Sequence, residues 1–257
     1  SGATFLFRYD QSKINGLLLM KKHPGLFIAI TIMSIWITGL LFLLNTDIAA
    51  IPPFLIVMAM AGQSFLYTGL FITAHDAIHQ SIMPGHPKVN KWFGIISLAV
   101  YALFSFKRVR EKHWQHHRFP ASSKDPDFHD GIHKQFCLWY FHFIRNYFTP
   151  YQLIGMAILF NILYHVGHFP MVNLFLFWVI PSLLSTLQLF YFGTYLPHRE
   201  SAKGYKDHHR TRSSELNLLL SFLTCYHFGY HWEHHAWPNV PWWKLPEKHK
   251  KLTLTVL

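Results

Sequence analysis

All 23 lysines and arginines of this 257-residue chain lie outside four long apolar stretches, and that partition constrains the fold more than any other feature. The stretches run from Leu26 to Leu44, Pro53 to Ala74, Leu153 to Phe169 and Val172 to Leu196. Crossing a hydrocarbon core takes about 20 apolar residues, and a single segment there must satisfy its own backbone by forming a helix. Residues 45–51 join the first pair, and a short turn at His168, Phe169 and Pro170 joins the second, so the chain reads as two transmembrane hairpins. Basic residues fall in segments 1–25, 80–150 and 198–257 and in neither hairpin turn. The positive-inside rule then places both termini and the central segment in the cytoplasm.

Composition points the same way: 51% of residues are hydrophobic, 18% aromatic and only 14% charged, which is low for a soluble domain. The expected fold class is an all-α integral membrane protein, with residues 1–257 forming one domain. Four spans in two hairpins are joined by cytoplasmic and interfacial helices that enclose a two-metal site, with site segments at 75–150 and 197–257. Trp92 to Phe106 is apolar but short, which suits a re-entrant or interfacial helix. Tyr140 to Tyr151 and Leu216 to Tyr226 suit the headgroup boundary. The first apolar stretch reads as a span rather than a cleaved leader. Cys137 and Cys225 show no CxxC spacing, which leaves no disulfide framework and no redox dithiol to build on. A bacterial inner membrane is the expected location, and nucleic acid is not an expected partner.

The chemistry is concentrated in histidines. Three clusters stand on the cytoplasmic side: His75 with His79, His113 with His116 and His117, and His231 with His234 and His235. Spacings of three and four place imidazoles on one face of a helix. Eight such ligands exceed the needs of one tetrahedral zinc, and imidazole also suits iron and copper, so two metals sharing a site is the natural reading. His198, where the chain leaves the fourth stretch, is the ninth candidate. Two irons would then receive four or five imidazoles each and keep a position open, as a catalytic metal does. Asp76, Glu233, Asp125, Asp127 and Asp130 are expected to accept the outer N–H of ligating rings. His227 is a weaker candidate, and His129, His133, His142, His208 and His209 read as loop or interface residues.

A centre at the cytoplasmic mouth of a helical bundle can be reached sideways by a membrane-dissolved molecule and from above by oxygen and electrons. The expected chemistry is oxygen activation on an apolar lipid. Trp114, Phe119, Phe128, Tyr191, Phe192, Trp232 and Trp237 are candidates to line the substrate path. The basic cytoplasmic surface would attract an acidic electron donor such as a ferredoxin. A membrane metal carrier or sensor is the non-enzyme alternative. It should place ionisable residues along a path through the membrane, and the spans hold almost none apart from His165.

The ordered histidine boxes and paired hairpins resemble the membrane fatty-acid desaturase and hydroxylase superfamily of di-iron enzymes. More narrowly, the chain resembles β-carotene ketolases of the bacterial and cyanobacterial type. The phrases that carry this resemblance are Thr68 to His79, His113 to Pro120 with Asp125 to Asp130, Gln188 to Arg199, and His231 to Pro238. The family often has Met where Ile78 stands and Arg where Ala236 stands, and neither position is a proposed ligand. The resemblance implies oxidation of C4 of a β-ionone ring to a ketone, taking β-carotene through echinenone to canthaxanthin and a zeaxanthin substrate toward astaxanthin. It also implies two Fe2+ ions, O2 and external electrons. A carotenoid hydroxylase and a fatty-acyl desaturase or hydroxylase remain alternatives, because sequence alone does not give the pocket shape.

Overall fold

The computed structural model describes residues 22–201 and 204–256, and among these the regular elements are all helical. They are α1 (Pro24–Leu44), α2 (Pro53–Ile78), α3 (Pro87–Ala102), α4 (Phe106–Arg118), α5 (Phe136–Tyr147), α6 (Pro150–His165), α7 (Met171–His198), α8 (Leu218–Cys225), α9 (His231–Ala236) and α10 (Leu245–Val256). The basic start of the chain, part of the positive-inside argument, lies outside the described residues.

Among the described residues three helices, α1, α2 and α7, are long and apolar enough to cross a membrane, with 21, 26 and 28 residues. Proline stands in the first turn of α1 and α2, where its missing N–H costs no hydrogen bond. Asn173 at the start of α7 donates to the carbonyls of Leu43, Leu44 and Thr46, tying α7 to the chain where α1 ends and intrahelical donors run out. Midway along the bundle, Thr68 of α2 donates to the Gln188 side chain and lies 2.9 Å from the Ser185 hydroxyl, both on α7. Tyr101 of α3 donates to Ser185, and Gln188 donates onward to the Thr224 carbonyl of α8. Each interhelical hydrogen bond of this kind contributes about 0.6–2 kcal/mol in a membrane. Around them packs an apolar core that includes Trp36, Tyr67, Leu70, Leu174 and Phe177.

The third apolar stretch folds differently from the expected span. Its helix, α6, has 16 residues and ends at His165, before the turn at left-handed His168. At 1.5 Å per residue it is about 24 Å long, short of a ~30 Å hydrocarbon core. Gln152 is its single buried residue, so α6 lies against the bundle rather than inside it.

The stretch read as re-entrant forms α3 and then turns sharply, so that α3 and α4 meet at 103°. If that bent pair is counted as one broken span, the candidate spans number four. Leu103 in the left-handed region ends α3, and the Ser105 hydroxyl caps α4 by accepting from the Arg108 N–H. Gly94 packs against the Phe106 ring across the bend, where a Cβ would collide with it.

Helix α7 contains two five-residue π-helical stretches, Phe175–Val179 and Tyr191–Tyr195. Each is followed at the same interval by a proline, Pro181 and Pro197. Proline donates no N–H and crowds the carbonyl four residues earlier, so the preceding turn widens.

Candidate metal centre

Four helices end or turn at one place and deliver all nine candidate histidines there. The end of α2 supplies His75 and His79, α4 supplies His113, His116 and His117, the end of α7 supplies His198, and α9 supplies His231, His234 and His235. Their ring nitrogens form two groups, each with its members within 4.8 Å of one another. One group is His75, His79, His113, His117 and His234; the other is His116, His198, His231 and His235. On α4 the i,i+4 pair His113 and His117 serves the first group while His116 serves the second. On α9 the i,i+4 pair His231 and His235 serves the second group while His234 serves the first. The His117 and His235 rings stack across the divide at 4.3 Å between centroids.

The spacing within each group suits an ion. In the first group, Nε2···Nε2 distances are 2.7 Å for His79 and His113, 3.1 Å for His113 and His117, 2.9 Å for His117 and His234, and 3.1 Å for His75 and His234. In the second, His116 and His235 are 3.0 Å apart and His235 and His231 are 3.2 Å apart. Two nitrogens each about 2.1 Å from one metal and at right angles to each other stand about 3.0 Å apart. Protons alone do not account for this packing, because a ring nitrogen carries at most one and several of these nitrogens meet two neighbours. The buried His198 Nε2 has no hydrogen-bond partner.

The outer ring nitrogens are held selectively. His116 Nδ1–H donates to both oxygens of Asp125 at 2.9 and 3.0 Å, and Asp125 also accepts from the N–H groups of Ala121 and Asp127. Asp127 approaches the same ring at 3.7 Å and accepts from the Tyr147 hydroxyl. His198 Nδ1–H donates to the Arg210 carbonyl at 3.0 Å. Asp76 lies 3.5 Å from His75 Nδ1 and accepts from the Trp242 N–H. These contacts turn Nε2 inward as the free lone pair.

Two expectations about neighbouring carboxylates change, and the weaker candidate His227 stays outside the site. Glu233 holds no cluster ring; it accepts from His249 of α10 and from Ser213, tying α9 to the C-terminal segment. Asp130 binds His133 instead. His227 lies against Trp242 and Ser221, outside both groups. Nothing local in the sequence marks His249 or the Arg210 carbonyl, which tertiary packing brings in.

Electrostatics leave most of the cluster rings neutral, the form that ligates, and set His116 apart. Burial, and then the neighbouring imidazoles, hold His113, His117, His231, His234 and His235 well below the usual histidine range, so these rings stay neutral. Burial would lower His116 as well, but Asp125 and Asp127 more than offset it and lift the ring to about 9. Burial opposes charge on Asp125, yet His116 holds its carboxyl below the usual range. Positive charge is therefore stabilised on the side of the cluster where these carboxylates gather.

Both groups face one apolar cavity with about 860 Å³ of atom-free space, mouth included. His75, His113, His116 and His231 border it, and Phe71, Tyr101, Phe104, Tyr147, Leu189 and Phe228 form much of the wall. None of Trp114, Phe119, Phe128, Tyr191, Phe192, Trp232 and Trp237 lines it. Trp114 covers His79 from outside, and Phe128 packs on Trp139. Proximity in sequence to a histidine box says little about which side of the box a ring occupies.

Residues 47–255 match the fatty acid desaturase family. A β-carotene ketolase of Paracoccus sp. strain PC1 is 40% identical over 221 residues, 85% of this chain and 89% of the relative. A zeaxanthin 4-ketolase of Chlamydomonas reinhardtii is 36% identical over 94% of this chain, and a β-carotene ketolase of Haematococcus lacustris is 43% identical over 71% of it. The chain spans 55% and 58% of the length of these two algal relatives.

Proposed function

Since this chain belongs to the fatty acid desaturase family, we propose that it is an oxygen-dependent β-carotene ketolase that places a 4-keto group on β-ionone rings. The observation that carries the reading is the pair of histidine groups bordering one almost wholly apolar cavity. The names of its bacterial and algal relatives supply the ring, the carbon and the ketone.

The first group offers five nitrogens and the second four, which suits two irons with positions left for O2. Bound there, Fe2+ would supply the reduction of O2 that C–H oxidation requires. Overall, C4 exchanges two C–H bonds for two C–OH bonds in successive hydroxylations, and the geminal diol loses water to give the ketone. Each hydroxylation consumes one O2, two electrons and two protons and releases one water. The protein's own work is positional. The wall rings exclude water and hold an apolar ring before the histidines, while Asp125 and the Arg210 carbonyl fix the orientation of His116 and His198.

Residues 1–257 act as one membrane-embedded domain with the metal centre and both termini on the cytoplasmic side of a bacterial inner membrane. In this layout α1, α2 and α7 cross as helices, α3 is re-entrant, and the shorter α6 pairs with α7 as the second hairpin. A ferredoxin-type donor docks on the basic cytoplasmic face.

The test is chromatography with mass spectrometry of pigments from a β-carotene-producing bacterial host expressing the chain, with and without air. Oxygen-dependent 4-keto products are expected. Hydroxylated products alone would assign a hydroxylase, and unchanged β-carotene beside iron-loaded protein would overturn the carotenoid reading.

A further inference from the structure

A second apolar recess lies in the membrane-facing wall, between α6 and the first π-helical stretch of α7. It has about 890 Å³ of atom-free space and is bordered by Met156, Ala157, Phe160, Phe175, Trp178 and Leu183, among others. It adjoins the cavity before the histidines: Tyr101, Phe148 and Thr186 border both. We propose that this groove holds the polyene and unreacted ring of the carotenoid, with those three residues as the throat through which the reacting ring passes from the bilayer to the metal centre. The proposal rests on the carotenoid reading above.

Three features support this occupant. The polar side chains of the groove and throat each already bond within the protein: the Ser182 hydroxyl donates to the Val179 carbonyl, Asn161 donates to the Ala157 carbonyl, Tyr101 donates to Ser185, and the Thr186 hydroxyl lies 2.6 Å from that of Tyr140. The groove and throat therefore present mainly hydrocarbon and ring faces, which match a ligand without a polar head; an acyl lipid would have to leave its head unpartnered there. The two π-helical stretches of α7 also stand one at each chamber, with Phe175, Trp178 and Val179 at the groove and Gly193 and Thr194 at the inner cavity. Single π turns concentrate at functional sites because the extra residue shifts which side chains face a ligand. Finally, α6 fully buries only Gln152 and meets the core through half-buried residues such as Met156, Leu159 and Phe160, so it forms a single-helix outer wall to the groove with much of its remaining surface exposed.

Filling the groove tests the idea. In the pigment assay, Met156→Trp and Ala157→Trp should lower 4-keto product about ten-fold by overfilling the groove, with iron content unchanged. Ile158→Trp, on the outer face of α6, should match the wild type. Ketone yields equal to wild type in both groove variants would overturn the proposal. A second measurement is independent of turnover: in a Cys137→Ser background, the thiol introduced by Ala157→Cys is labelled with an apolar maleimide in vesicles with and without β-carotene. Slower labelling with β-carotene, and no slowing in phospholipid alone or with added fatty acid, supports the groove. Equal labelling throughout, or protection by the acyl lipid, shows a bilayer lipid only and overturns it. If wild-type protein makes no ketone in the host, the enzymatic reading fails, while the labelling still decides whether the groove takes a carotenoid.

Discussion

At the scale of single residues the centre depends on which nitrogen of each ring faces inward. The buried Nε2 of His198 has no partner and its Nδ1 is held by the Arg210 carbonyl. His198→Ala should therefore lose the iron of the four-nitrogen group and all turnover while keeping its helical content, as checked by metal analysis and circular dichroism. Asp125→Asn keeps the shape but weakens the charge-assisted bond to His116. Metal affinity or turnover should fall by about 10–100-fold, measurable by titration with Fe2+. Eight of the candidate histidines were legible in the sequence because three- and four-residue spacing is local helical geometry, and His198 because it stands where the fourth apolar stretch ends. Their division into five and four was not, since it depends on how α4 and α9 rotate against each other. Glu233 was misplaced for the same reason: its partner His249 arrives from a separate helix.

The helical elements show where reading by hydropathy succeeds and where backbone detail intervenes. Spans α1, α2 and α7 follow from continuous apolar sequence, whereas α6 reads as a span by hydropathy but stops at His165. The bend between α3 and α4 needs Gly94, because the Phe106 ring occupies the space of a Cβ. Gly94→Ala should destabilise the protein by about 1–3 kcal/mol through overpacking, visible as a lower Tm in detergent. The π-helical stretches of α7 carry a signal only in retrospect, in the matched spacing of Pro181 and Pro197 behind them. Pro197→Ala restores an N–H and should tighten that turn, rotate His198 and reduce iron loading; unchanged loading would mean that packing alone sets the π turn.

For the molecule as a whole, the proposed layout requires the α1–α2 turn and the central segment to lie on opposite sides of the membrane. In a Cys137→Ser background, the thiol from Thr46→Cys should react with an impermeant reagent only from outside the cell. That from Gly131→Cys should react only after the membrane is opened. The histidine arrangement has its own bearing on assembly. Because α4 and α9 each send two rings to one group and one to the other, neither ion can settle without fixing the rotation of a helix that its neighbour also needs. On the proposed two-iron reading, uptake of the first ion would lower the entropy still to be lost in taking the second. Metal titration should be sigmoidal, and half-loaded protein should be scarce at every concentration, with the two irons entering as a pair.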